Sequence, residues 1–172
     1  MMIYNNENEI LAKGAIFRAN SGFWFLEECL TYIHRGGTDV AFSRSLYILF
    51  SYNFELILKA RILLESRQTR RDDLIKEIKS HDLEELSKRL SKNALNGLDI
   101  KNIRRGESSG FTEYVIEMFS GDKIVLQDLV DVRYDFVKNS LRKFDPEESN
   151  KMKNEAKIMI SMTKKIMKLL KL

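Results

Sequence analysis

From Arg44 to Ser66 the chain reads RSLYILFSYNFELILKARILLES, and almost no side of that stretch is polar. Leu46, Leu49, Phe50, Asn53, Leu56, Ile57, Ala60, Leu63 and Leu64 recur at three- and four-residue steps, which makes one stripe on a 3.6-residue helix. Tyr47, Phe54, Leu58 and Ile62 add a second apolar row. A helix of that kind, roughly 35 Å long at 1.5 Å per residue, has to be enclosed by others. The spacing therefore predicts a mainly α fold of long helices built around this one, with a short β-hairpin insertion near residues 111–126.

The flanking segments supply the partners. From about Asn6 to His34, Leu11, Ala15, Ala19, Gly22, Leu26 and Ile33, with Cys29 or Leu30, form one helical face, and Gly36-Gly37 supplies the left-handed turn that closes it. Thr38 or Asp39 opens the central helix. Leu74, Ile75 and Ile78 suggest a short helical turn. A compact helix follows from about Asp82 to Lys92, with Leu83, Leu86 and Leu90 inward and Asp82, Glu84 and Glu85 at its positive N-terminus. NALNGLDIKNIRRGESSG, polar and carrying three glycines, reads as a mobile loop over about 93–110. FTEYVIEMF and KIVLQ then flank Ser120-Gly121-Asp122 and favour the hairpin.

Helical spacing returns at Leu126 or Gln127 and runs to about Lys143, with Leu129, Val132, Phe136, Val137, Ser140 and Phe144 inward. Asp145-Pro146-Glu147-Glu148 has the cap, the first-turn proline and the reaching-back acid of a helix start. In the last helix Met152, Ala156, Met159, Thr163, Ile166, Met167 and Leu170 share a face, and its seven lysines mostly occupy the other. It reads as an outer helix of the bundle; a membrane-surface or calmodulin-target helix is the alternative.

Composition narrows the function classes. A chain of 172 residues with 44% apolar content is expected to form a single domain over 1–172 with its own core. Its one cysteine, Cys29, cannot form an internal disulfide, fits a reducing compartment, and lies among core positions with no Cys/His arrangement beside it. No apolar run approaches the roughly 20 residues of a membrane span, and the polar first residues are unlike a signal peptide, so a cytoplasmic location without membrane attachment is expected. A net charge of +4 permits an anionic partner. The connector SRQTRRDD, with Arg67, Arg70 and Arg71, is either a solvated loop or a phosphate contact. Histidine occurs only at 34 and 81, in different helices, with no cluster at metal-ligand spacing. A Gly-rich phosphate loop and a Gly-x-Ser-x-Gly elbow are both missing. Neither metal nor cofactor is expected.

Arg133 stands apart. It lies four residues after Leu129, three before Phe136 and four before Val137, and so shares an apolar helix face. A guanidinium there needs a carboxylate, a carbonyl or an anionic ligand. Asp131 and Asp135 lie in the same helix, and Glu55 on the central helix could reach across. The residue is either a structural salt-bridge partner or an arginine that binds phosphate or stabilises a transition state.

NFELILKARILLES, followed after a basic loop by SHDLEELSKRL, resembles the helical HEPN domains (higher eukaryotes and prokaryotes nucleotide-binding), in which a helix bearing Glu and Lys near Glu55 and Lys59 precedes a His-Asp-Leu helix start. DLVDVRYDFVKNSLRKF resembles the late helix that holds the family's arginine motif. The resemblance covers about half the chain. It implies an antiparallel up-and-down bundle of four to five long helices, often a homodimer with the arginine motif at its interface. Family members include metal-independent ribonucleases of toxin–antitoxin, phage-defence or RNA-processing systems, nucleotide binders and non-catalytic partners.

Active nucleases of the family carry Arg, four to six residues, then His. Arg133 matches the Arg, but Lys138, Asn139 and Ser140 occupy the histidine positions, and Tyr134 replaces the usual polar residue after the Arg. Attack by a ribose 2′-hydroxyl needs a base or a strong orienter, a role suited to neutral imidazole and not to a protonated lysine or an amide. The resemblance therefore implies a non-catalytic or weakly catalytic module that binds nucleotide, RNA or a protein partner such as an antitoxin or a nucleotidyltransferase-like protein. In it Arg133, Asn139 and Lys138 make up the degenerate motif, while Glu55, Lys59 and Tyr134 bind or orient the ligand. The alternatives are a ribonuclease using Arg133 with Asn139 or Lys138, His81 being a substitute imidazole at a helix start, and a purely structural adaptor. A homodimer through Trp24, Phe25 and the Arg133 helix is expected.

Overall fold

The computed structural model describes residues 6–34, 40–108, 111–128 and 146–171. Its fold is mainly helical, with one small antiparallel sheet. Three long helices, α1 (Asn6–His34), α2 (Val40–Glu65) and α6 (Pro146–Leu169), pack on one another. Three short ones, α3 (Arg71–Glu77), α4 (Leu83–Lys88) and α5 (Lys92–Gly97), lead into the strands β1 (Ile100–Ser108), β2 (Phe111–Met118) and β3 (Lys123–Gln127), paired in the order β1-β2-β3. The sheet lies beside α2 through β3, and α4 and α5 cover β1.

Helix α2 is enclosed as its sequence demands. Phe50, Phe54, Ile57, Leu58, Ala60 and Leu63 are essentially free of solvent. Each large apolar side chain so buried contributes about 1.5–3 kcal/mol. Against it α1 presents Ala12, Ile16, Ala19 and Phe23, and α6 presents Ala156, Met159, Met162 and Ile166. At one crossing point contact is closer than a side chain allows. A Cβ on Gly22 would stand 2.3 Å from Oδ1 of Asn53, which is 1% exposed and whose amide has no hydrogen-bond partner. Ser51, also buried, donates from its hydroxyl to the Gln127 carbonyl at 2.6 Å and so ties α2 to the end of β3.

The sheet has one wet and one dry side. Tyr114, Ile116 and Met118 of β2 face the core with Ile103 of β1 and with Ile124 and Leu126 of β3. The β2–β3 hairpin expected from the sequence is present, with Glu117 opposite Lys123 and Glu113 opposite Gln127. Its turn places Gly121 at φ +93°, where a side chain would be strained.

Three expectations are corrected. The stretch read as a loop over 93–110 holds most of α5 and all of β1. The Ser91 hydroxyl caps α5 by accepting from the Ala94 N–H at 3.0 Å, and Arg105 pairs with Tyr114 across the β1–β2 ladder. The compact helix expected from Asp82 to Lys92 stops at Lys88, and Ser91 begins a second one. Leu126 and Gln127, read as the start of a late helix, end β3 instead, because Tyr114 and Glu113 hold them in register. The remainder of that expected helix, with Arg133, Tyr134, Lys138 and Asn139, lies outside the described residues. The bundle of four to five long helices is accordingly seen only as α1, α2 and α6. No helix among the described residues is long and apolar enough to cross a membrane.

The Tyr114 hydroxyl donates to Asp128 Oδ2 at 2.8 Å. Burial, then that bond and the carboxylate charge, push its pKa well above the ordinary value near 10. Above pH 10 unfolded Tyr114 ionises while the folded residue keeps its proton, so stability present below pH 10 is lost as pH rises. Urea unfolding should show about 1 kcal/mol less stability at pH 11 than at pH 9 from this residue. Tyr114→Phe should remove that alkaline slope and cost about 1–2 kcal/mol at neutral pH; an unchanged slope in the variant would assign it elsewhere.

Candidate functional site

Halfway along α2 the apolar surface is interrupted by a carboxylate. Glu55 is only 2% exposed. Its Oε1 is 2.7 Å from Lys59 Nζ, one turn later, and the Lys59 side chain is itself 11% exposed. The pair expected at i,i+4 spacing therefore exists, but it is buried, whereas an exposed pair would be worth only about 0.3–0.5 kcal/mol. A third group closes the cluster. His81 Nδ1 lies 3.1 Å from both Glu55 oxygens.

Local chemistry explains why His81 arrives there. It sits in the connector between α3 and α4, and the start of α4 is fastened from several directions. Asp82 caps the helix by accepting from the Glu85 N–H at 2.9 Å. The Ser80 hydroxyl accepts from the Asp82 N–H at 3.2 Å and donates to Glu85 Oε2 at 2.7 Å. From β1, the Arg105 guanidinium donates to Asp82 Oδ2 at 3.2 Å and its backbone N–H to Glu84 Oε2 at 3.1 Å. Leu83 and Leu86 anchor the other face of α4 in the core. The connector is thus clamped between core and sheet, and the imidazole projects toward Glu55.

Charge at this corner is tightly arranged. Lys88 and the Arg105 N–H hold Glu84 below the usual carboxylate range, and the Ser80 hydroxyl and Arg89 do the same for Glu85. Glu84 in turn raises Lys88. Both glutamates remain ionised at the positive end of α4, where negative charge is favoured.

In the ion pair with Lys59 the Glu55 oxygens accept, and the tautomer that suits them places a proton on the facing Nδ1. Nε2 then keeps its lone pair in the neutral ring. The His81 side chain is 54% exposed, and among the described residues no group is bonded to Nε2. A carboxylate-held imidazole with its far nitrogen open can take up or release a proton or donate to an anion, and the Lys59 ammonium adds positive charge beside it.

Glu55 and Lys59, named from the sequence as orienting residues, do meet. His81, considered there mainly as a helix-start residue, is the missing third member. Arg133, Tyr134, Lys138 and Asn139 lie outside the described residues, and the partners recorded for Glu55 are Lys59 and His81. The arginines of the 67–71 connector do not converge: Arg70 approaches Asp73 at 4.0 Å, Arg71 pairs with Glu7 at 3.5 Å, and Arg67 lines a separate shallow cavity of about 430 Å³ with Glu77 and Arg89. Among the described residues no group of three or more His, Cys, Asp or Glu side chains is placed to hold a metal ion.

No protein-family model, curated protein or solved structure matches the chain.

Proposed function

We propose that the chain is a HEPN-like helical module that binds the phosphate of a nucleotide or of RNA, with little or no catalysis of its own, in a bacterial defence or toxin–antitoxin type system of the cytoplasm. The observation that carries this reading is the Glu55–Lys59–His81 cluster. Residues from two separate segments of the resembling pattern meet there, around a carboxylate whose burial needs a reason. With a proton taken up at Nε2, the His81 ring donates to a phosphate oxygen at its open side, next to the Lys59 ammonium. In the full reading Arg133, with Lys138, Asn139 and Tyr134, contacts the same ligand. A homodimer through the exposed Trp24 and Phe25 and the Arg133 helix accompanies it, with an antitoxin or a nucleotidyltransferase-like protein as further partner.

One observation favours a second reading, a metal-independent ribonuclease. The arginine motif has no histidine, and His81 provides an oriented imidazole from another part of the chain. As base, Nε2 would take the ribose 2′-hydroxyl proton. The 2′-oxygen would attack phosphorus, the bond to the 5′-oxygen would break, and that oxygen would leave with a proton, giving a 2′,3′-cyclic phosphate.

One experiment separates the readings. Purified protein, His81→Ala and Arg133→Ala are incubated with total RNA in EDTA, and binding to a non-cleavable 2′-O-methyl RNA and to ATP is titrated in parallel. The leading reading expects binding weakened at least tenfold by either substitution, with no cleavage above blank. Cleavage that both substitutions abolish establishes the ribonuclease. Absence of binding to either ligand removes the phosphate-binding reading, and a strictly monomeric species in light scattering at high concentration removes the homodimer.

A further inference from the structure

Helix α6 divides its chemistry between two faces. Ala156, Met159, Thr163, Ile166 and Leu170 are buried against the other helices. At roughly 100° per residue the opposite side carries Lys157, Lys164 and Lys168 within a sector of about 40°, with Lys165 at its flank and Lys171 in the turn just past the helix end, and all five are exposed. No acidic residue occurs between Lys157 and Lys171. Those five charges exceed the +4 of the whole chain, so the remainder is on balance slightly negative.

Elsewhere several basic side chains are paired with nearby acids. Lys13 pairs with Glu9 at 2.6 Å, Lys76 with Asp73 at 3.2 Å, Lys88 with Glu84 at 2.7 Å and Arg105 with Asp82 at 3.2 Å. Among the described residues none of these five lysine side chains meets an ion-pair or hydrogen-bond partner. Like charges three and four residues apart repel one another, and the helix C-terminus favours a cation only in its last turn, at Lys168, so helix stability gives no reason for the row as a whole. A linear polyanion does.

We propose that the exposed face of α6 docks the sugar–phosphate backbone of a nucleic acid, without regard to base sequence. From Lys157 to Lys168 the row spans about 17 Å at 1.5 Å per residue, facing roughly five phosphates of one strand at 3.4 Å each, and Lys171 follows in the turn beyond the helix. Lysine is a point charge that holds phosphate and reads no base edge. A membrane surface or a helix-binding acidic protein would need the apolar face of α6 as well. That face is in the core, and only Leu169 stands out from it, at 46% exposure. The proposal rests on α6 alone and uses no residue of the Glu55–His81 cluster.

The test is fluorescence anisotropy of the full chain with short mixed-sequence single strands, RNA and DNA, between about 50 and 200 mM salt. Four backbone contacts should give a slope of log affinity against log salt near −3, a roughly 50-fold loss over that range. Substituting Lys157, Lys164, Lys168 and Lys171 together by Gln should remove most of that slope at unchanged helix content, and the matching Arg variant should keep it. An unchanged slope in the Gln variant overturns the proposal, as does binding to phosphatidylserine vesicles in preference to the strands. If His81→Ala abolishes ATP binding while the strand slope persists, the α6 face stands without effect on its account from the other cluster. If the Gln variant binds ATP normally but loses the strands, both sites stand.

Discussion

Replacing Glu55 by alanine is expected to destabilise the fold by about 3–5 kcal/mol, lowering the melting temperature by roughly 10 °C for a chain of this size. The glutamate contributes few apolar contacts. The cost arises because the largely buried Lys59 ammonium would keep its charge and lose its acceptor at 2.7 Å, while the His81 ring would lose both oxygens that fix it. Glu55→Leu with Lys59→Met removes both charges together, and replacing a buried pair by apolar groups of similar size is often close to neutral. Most of the single-variant loss should therefore be recovered in that double variant, though the phosphate binding proposed above should not return. Urea unfolding of the single and double variants measures this; a loss below about 1 kcal/mol for Glu55→Ala would mean that the cluster does not clamp the fold.

Gly22→Val should have a comparable effect, about 3 kcal/mol. The new Cβ would stand 2.3 Å from Oδ1 and 2.7 Å from Cγ of Asn53, a short side chain enclosed between α1 and α2. Neither atom can be avoided by turning the amide alone, so the helices must separate. Asn53 has its own cost, since both polar atoms of its amide are buried without partners. Gly22→Ala combined with Asn53→Ala adds a methyl where space opens, removes the unsatisfied amide and gains helix propensity of about 1 kcal/mol. That pair should be at least as stable as the parent in thermal unfolding. A less stable pair would show that the amide, and not steric room, organises the crossing.

What could be read from the sequence divides along a physical line. α1, α2, α6 and the β2–β3 hairpin follow from hydrophobic period and turn chemistry, which are local, and Ser120-Gly121-Asp122 carries its turn signal openly. β1 was unreadable for the opposite reason. In IKNIRRGES only Ile100 and Ile103 are buried, and the strand is held by pairing with β2 and by Asp82 and Glu84 gripping Arg105. Those partners lie 21 and 23 residues away in the chain. The candidate site divides in the same way. Glu55 and Lys59 are joined by helical spacing and were named together, whereas His81 reaches Glu55 across 26 residues and looked like an ordinary helix start. Two signals pointed to it: a serine-histidine-aspartate run able to cap, and a central helix keeping a glutamate with no exposed face to put it on.

The edges of the sheet carry one more consequence. A three-stranded sheet has two open rims, and an open rim is a template onto which another molecule's strand can add. Each rim here is met by side chains at one or two backbone groups. Glu155 of α6 accepts from the Val125 N–H at 3.3 Å and Ser51 of α2 donates to the Gln127 carbonyl on the β3 side, while Glu84 accepts from the Arg105 N–H on the β1 side. The same helices that form the core thus cap the ladder at both ends, with a carboxylate on each rim. Assembly of this protein by strand addition is disfavoured, and any self-association is directed to its helical faces.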